Sequence, residues 1–262
     1  MTALNTLAKA MGGPLNDCNP EAGPTVWLCS SSDITAARPP DWMSAREIDR
    51  MAGLTQGPRR DFLASRWLIR QALAAASGHQ ASQCQPVDGR PELSAWPPGW
   101  CLSVSHSGGL AGCAVAAGTP LGLDIEPLTR RPHWQKVVNR WFSSQEQAWL
   151  IPDDDAEAFL TVWTLKEAWL KATGRGIANN LRTLCVSRDF GLSGDQSGQN
   201  WQASVGGVAG YLITVVYQGE NRPSGFMIPG AVNLANVGSD IADPEPIRWL
   251  FHRIIHPITK PA

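Results

Sequence analysis

The sequence predicts an α+β protein made of two similar halves. Two helix-like stretches, Arg59–Ala76 and Ala156–Ala172, carry apolar residues at helical spacing, and each is followed by short alternating runs parted by Gly turns. The chain has 262 residues and is 43% hydrophobic, enough for one large domain or two small ones with a sizeable core. The halves are expected to meet near Gly118–Leu123, which divides the chain into 25–120 and 121–218. No internal sequence self-similarity accompanies the repeated pattern.

Residues 1–24 are rich in Gly, Pro and Asn and read as a peripheral segment. Val26–Ser30 is apolar and short, a strand. Arg59–Ala76 is a helix closed by Ser77–Gly78, since glycine ends helices readily. Leu102–Ser105, Ala111–Ala117 and Leu121–Ile125 read as strands, with glycines in the turns between them. His133–Trp141 and Ala156–Ala172 follow as helices, and Tyr211–Tyr217 as a late strand. The segment 219–262 reads as an extension of unassigned role, with Ile247–Ile255 patterned as a short amphipathic helix.

Lys and Arg total 22 against 23 Asp and Glu, a net charge of −1 with 17% charged residues. A strongly basic nucleic-acid binder is thereby excluded at the level of the whole chain, although segregated patches are not. The six cysteines include no CxxC pair and no Cys/His cluster of zinc-site spacing. Met1–Met11 carries one Lys and no long apolar run, so it does not resemble a signal peptide. Reduced thiols in the cytoplasm are expected. No stretch approaches the roughly 20 apolar residues of a membrane span, and no membrane partner is expected.

Pro120-Leu-Gly-Leu-Asp-Ile-Glu-Pro127 is the most informative segment. On a strand, Asp124 and Glu126 share one face while Leu123 and Ile125 share the other. Two carboxylates about 7 Å apart on an otherwise apolar strand suit a hard cation bound through oxygen, though two surface acids would give the same pattern. The second segment is Trp163-Thr-Leu-Lys-Glu-Ala-Trp-Leu-Lys171. Glu167 and Lys171 lie four apart on one helix face, and Lys166 one position round. They make either an ordinary i,i+4 ion pair, or a site in which Glu167 completes a metal set and Lys166 and Lys171 hold phosphate oxygens.

Leu-Gly-Leu-Asp-Ile-Glu, followed about forty residues later by Trp-Thr-Leu-Lys-Glu-Ala-Trp-Leu-Lys, resembles the paired signatures of the 4′-phosphopantetheinyl transferases. Asp88-Gly-Arg-Pro91, Ser103-Val-Ser-His-Ser-Gly108 and Arg140-Trp-Phe-Ser-Ser-Gln-Glu146 resemble further segments of its larger, two-half, Sfp-like branch. The resemblance covers roughly residues 25–218. It implies a pseudo-twofold fold with coenzyme A in the cleft between the halves, and transfer of phosphopantetheine to a serine of an acyl or peptidyl carrier protein, releasing 3′,5′-ADP. Under it, Mg²⁺ is held by Asp124, Glu126 and Glu167, and Lys171 with Lys166 steadies the pyrophosphate. Glu167 is the candidate for taking the serine proton, with Glu146 as a possible assistant.

The remaining candidates follow from the same resemblance. Ser105 and His106 point to opposite faces of a strand and cannot form a nucleophile–base pair. A lone His is more often a core or surface residue, but the resemblance implies that His106 binds phosphate, with Ser105 beside it. Arg59, Arg66 and Arg70 fall within about 40° of one another on their helix, either a solvated ridge or the cradle for the 3′-phosphate and adenine end. Arg60 competes with Arg59 for that role. Arg90 stands where the family usually has Lys, exchanging a point charge for a planar fork. The basic, aromatic run Arg130–Lys136 with Trp141 and Phe142 is a candidate docking surface for an acidic carrier, unless the aromatics are core. An internal cleft suggests a monomer. Two rivals are a non-catalytic coenzyme A- or carrier-binding paralogue and a Mg²⁺-dependent phosphohydrolase.

Overall fold

The computed structural model describes residues 23–32, 34, 38–86, 95–130, 133–196, 200–230, 232, 234, 237 and 244–258. Its architecture is α+β, with two sheets packed face to face and a long helix on the outer face of each. The first sheet centres on β1 (Thr25–Ser30), with β4 (Trp100–Ser107), β5 (Leu110–Ala117), β11 (Ser224–Met227) and β12 (Glu245–Pro246), in the order β12-β11-β1-β5-β4. The second contains β6 (Leu121–Pro127), β7 (Leu184–Val186), β8 (Leu192–Gly194), β9 (Trp201–Val208), β10 (Tyr211–Gln218) and β13 (Arg248–Pro257), in the order β6-β10-β9-β13-β8-β7. A two-residue ladder joins β2 (Gln85–Pro86) to β3 (Ala95–Trp96). Five helices lie among the described residues: α1 (Ala45–Ala52), α2 (Gln56–Ser77), α3 (Trp134–Trp141), α4 (Ser144–Asp153) and α5 (Ala156–Ala172).

Alternation along the strands sorts side chains into three cores. On β1, Trp27 and Cys29 face α2, whereas Val26 and Leu28 face the other sheet. On β10, Leu212 and Val216 pack under α5, whereas Ile213, Val215 and Tyr217 fill the space between sheets. On β6, Leu121, Leu123 and Ile125 enter that middle layer, so Gly122, Asp124 and Glu126 turn toward α5.

Gly122 explains how closely α5 lies on β6. A Cβ there would collide with the Ala168 carbonyl and come within 2.5 Å of the Ala172 nitrogen, both helix backbone. Only glycine admits this approach, and it brings the Glu167–Lys171 turn against Asp124. Asp155 caps α5 by accepting from the Glu157 and Ala158 amides. Gly78 ends α2 at φ 73, in the left-handed region.

Three features differ from expectation. Helices α1 and α4 were not anticipated, yet each opens on a Ser-x-x-Glu capping box, Ser44 with Glu47 and Ser143 with Glu146. Ile247–Ile255 is not a helix: Arg248–Pro257 forms β13, pairing antiparallel with β9 around a bulge between Trp249 and Phe251, and parallel with β8. A short apolar run is ambiguous between the two periods, and the open edge of β9 decides it. The tail also supplies β11, which pairs parallel with β1 from Thr25↔Ser224 to Leu28↔Met227.

Candidate active site

The cleft lies where β4, the edge of the first sheet, meets β6, the edge of the second. Three alternating serines of β4 stitch this seam. Ser103 Oγ accepts from the Leu123 amide at 3.0 Å. Ser105 Oγ donates to Asp124 Oδ1 at 3.1 Å, and Ser107 Oγ donates to Glu126 Oε2 at 3.0 Å. The resulting cavity of about 430 Å³ is lined by Ser105, His106, Ser107, Asp124, Glu126, Arg130, Trp163, Glu167 and Lys171, with Val104 and Ile125.

Helix α5 delivers the opposite wall. Trp163, Glu167 and Lys171 are spaced four apart, so one stripe of the helix faces the strand acids. Lys171 Nζ donates to Asp124 Oδ1 at 2.8 Å, to the Leu123 carbonyl at 2.8 Å and to Ser105 Oγ at 3.2 Å. Glu126 pairs through Oε1 with Arg130. Asp124 Oδ2 is buried without a hydrogen-bond partner. Burial, and then the neighbouring Asp124 carboxylate, push the Glu167 carboxyl above its usual range, against the opposing pull of Lys171 and Arg130.

Among the described residues, no three His, Cys, Asp or Glu side chains stand close enough to form a ready metal cage. Lys171 and Arg130 already hold the near oxygens of Asp124 and Glu126. The chemistry of the set nonetheless fits a hard divalent cation. All three donors are carboxylates on one cleft, one buried oxygen lacks a partner, and Glu167 suffers like-charge repulsion that a cation would relieve.

Several expected residues lie elsewhere. Lys166, expected to hold phosphate or act in catalysis, has a fully buried side chain on the far side of α5. Its Nζ lies 2.7 Å from Glu146 Oε1, donates to the carbonyls of Leu181 and Leu184, and sits over the Phe142 ring. One residue beyond the cleft stripe is a rotation of about 100°, which turns Lys166 into the core. Glu146 is equally buried and cannot assist in the cleft. Its Oε2 accepts from the Ser143 amide and hydroxyl, and its Oε1 accepts from the Val186 amide.

The arginine ridge is also redirected, because α1 packs over it. Arg70 is fully buried in an ion pair with Glu47 at 2.8 Å and stacks on Trp42, so it is not available to a cofactor. Arg66 is 5% exposed over Phe62, with Nε and Nη1 unpartnered, and burial lowers its guanidinium to about 10. Arg59 is half-buried, and none of the three lines the cleft. Arg60 donates to the Ser32 carbonyl at 2.8 Å. Arg90 lies outside the described residues, as do 131 and 132 of the basic run. Phe142 is core, stacked on Phe159, whereas Trp141 is exposed beside Arg140.

Trp163, Ser107 and Arg130 line the cleft but were not singled out as site residues. The i,i+4 stripe through Glu167 reaches Trp163, and the period-two step from Ser105 reaches Ser107. Arg130 reads in the sequence as the start of the basic docking run, and only its four-residue distance from Glu126 signals a place in the cleft.

Two family descriptions match the chain. Residues 120–216 match the 4′-phosphopantetheinyl transferase superfamily, and residues 55–116 match the 4′-phosphopantetheinyl transferase N-terminal domain. The chain is 31% identical to the 4′-phosphopantetheinyl transferase AcpT of Salmonella typhimurium over 57% of this chain and 73% of that one. It is 35% identical to the 4′-phosphopantetheinyl transferase HetI of Nostoc over 46% of this chain, spanning about half (54%) of that relative. A 4′-phosphopantetheinyl transferase of Bacillus subtilis is 29% identical over 55% of this chain and 71% of that one. No helix among the described residues is long and apolar enough to cross a membrane.

Proposed function

The chain belongs to the 4′-phosphopantetheinyl transferase family, and from that membership and the charges of its cleft we propose that it moves phosphopantetheine from coenzyme A to a serine of an acyl or peptidyl carrier protein. The observation that carries this reading is the cleft itself: Asp124, Glu126, Glu167 and Lys171 converge from two elements on one open cavity. A binding module has no need of that charged set, and relatives named as 4′-phosphopantetheinyl transferases favour group transfer over simple phosphate-ester hydrolysis. The two halves are built on chain segments 25–120 and 121–218, with strands from 224–257 completing the sheet of each, in a cytoplasmic monomer.

In the reaction, the serine oxygen attacks the phosphorus that bears pantetheine, the bond from that phosphorus to the oxygen of the leaving nucleotide breaks, and 3′,5′-ADP departs. Lys171, aimed into the cleft from α5, holds diphosphate oxygens and offsets their charge. Glu167, on the helix stripe that faces the strand acids, takes the serine proton. Asp124, Glu126 and Glu167 would hold Mg²⁺, which when bound supplies charge neutralisation for the diphosphate and its leaving group. Trp163 lines one side of the cleft. The exposed His133, Lys136, Arg140 and Trp141 on and beside α3 offer a basic, aromatic surface to an acidic carrier.

The test incubates the protein with coenzyme A, Mg²⁺ and an apo-carrier and reads phosphopantetheine on the carrier by mass spectrometry. Asp124→Ala and Glu167→Ala should abolish the label while the circular dichroism of the fold is kept. Undiminished labelling in both variants would sink the assignment of the cleft, and absence of any adduct with the wild type would sink the activity.

A further inference from the structure

At the rim of the cleft, Asp61 presents a carboxylate where a phosphate-rich ligand is expected, and an unshielded acid there would repel it. Asp61 is fixed from behind. Ser31, buried at the end of β1, donates its hydroxyl to Asp61 Oδ1 at 2.6 Å. Next to it, Arg60 donates to the Ser32 carbonyl, tying the start of α2 to the chain just after β1. With Oδ1 engaged, Asp61 Oδ2 faces His106 Nδ1 at 3.7 Å. His106 lines the cleft between Ser105 and Ser107, and its side chain is 54% exposed.

A carboxylate beside Nδ1 favours the ring form with hydrogen on that nitrogen, and leaves Nε2 for an occupant of the cleft. A half-exposed imidazole on a strand end otherwise samples several rotamers, so a neighbour that restrains it lowers the cost of engaging a ligand. The geometry points to Asp61 as a positioning residue that holds His106 for a phosphate group of coenzyme A, with Ser31 as its anchor. This rests on the reading that coenzyme A occupies the cleft.

The sign of one change separates this role from its rivals. If Asp61 acted only as a charge, Asp61→Asn would remove repulsion and lower the KM for coenzyme A. If it acted only in folding, the KM of the folded variant would not move. Positioning predicts the reverse: a KM raised about tenfold with kcat within twofold, the scale of losing one hydrogen bond to a charged group. His106→Ala should raise KM at least as much, and the double variant should be no worse than His106→Ala alone. Ser31→Ala, which frees the carboxylate without removing it, should raise KM about threefold and serves if Asp61→Asn fails to fold. Repeating the set with 3′-dephospho-coenzyme A identifies the phosphate: loss of the Asp61 effect assigns the 3′-phosphate, and persistence assigns the diphosphate. A KM unchanged or lowered in Asp61→Asn, or full additivity with His106→Ala, overturns the proposal. Failure of the wild type to use coenzyme A at all overturns the underlying reading, and the proposal with it.

Discussion

Replacing Lys166 by Met removes the cation from a fully buried pair and leaves the Glu146 carboxylate in place. The ammonium makes a 2.7 Å contact with that carboxylate and satisfies two carbonyls, those of Leu181 and Leu184. Breaking a buried pair by removing one partner costs about 3–5 kcal/mol, because the other charge stays uncompensated. Glu146 keeps its bonds from the Ser143 amide, the Ser143 hydroxyl and the Val186 amide, which places Lys166→Met toward the lower end. At roughly 2–4 °C per kcal/mol for a protein of this size, the melting temperature should fall by about 6–12 °C. Combining Lys166→Met with Glu146→Gln removes both charges and should recover part of the loss. Thermal and urea unfolding measure these values, and carrier labelling at 20 °C measures activity. Labelling by the folded single variant should stay within a few-fold of wild type. Wild-type stability combined with lost labelling would refute the structural assignment and return Lys166 to the cleft.

Gly122→Ala forces a methyl into the backbone of α5 at Ala168 and Ala172, so it should lower stability by several kcal/mol, or displace Glu167 and Lys171 and abolish labelling. Melting temperature and labelling read the two outcomes, and a variant normal in both would contradict the close approach. Burial works upward on the Glu47 carboxyl, but Arg70 and Ser44 outweigh it and hold it below its ordinary 4.5. Its folded-state pKa is depressed, so its stabilisation is present above the unfolded value and is lost as pH falls through the folded one. Glu47→Gln should therefore destabilise at pH 7 and flatten the acid limb of a stability–pH curve below about 4.5; an unchanged limb would show that the pair does not govern it. Deleting residues from 245 onward removes β13, uncovers the edge of β9 and takes Ile247 and Ile255 from two cores, so the product should be insoluble or molten by near-UV circular dichroism. A truncated chain with native spectra would count against the integral role of β13.

What was legible in the sequence was what depends on local period. Alternation put Asp124 and Glu126 on one face of β6, and four-residue spacing put Glu167 and Lys171 on one face of α5, as the structure places them. Lys166 was misread because α5 is buried around most of its circumference, so the helical pattern does not say which polar residue turns inward. Its partner Glu146 lies on another helix, and no spacing rule links the two. The arginines of α2 failed for a similar reason. Their common face was read correctly, but α1, which covers it and supplies Glu47, was not foreseen. The strand β13 depends on an edge of β9 that exists only once the chain has folded back.

The parallel pairing of β1 with β11 bears on how the chain is made. Thr25 finds its partner at Ser224, so β1 leaves the ribosome long before the strand that covers its edge. Without β11, the segment Val26-Trp27-Leu28-Cys29 is an apolar edge, paired on one side by β5 alone. Throughout the synthesis of the intervening residues that edge is open to other chains, including nascent copies of itself. High-level expression should therefore be limited by aggregation during translation more than by the stability of the finished protein, and slower elongation at 18 °C should favour soluble product.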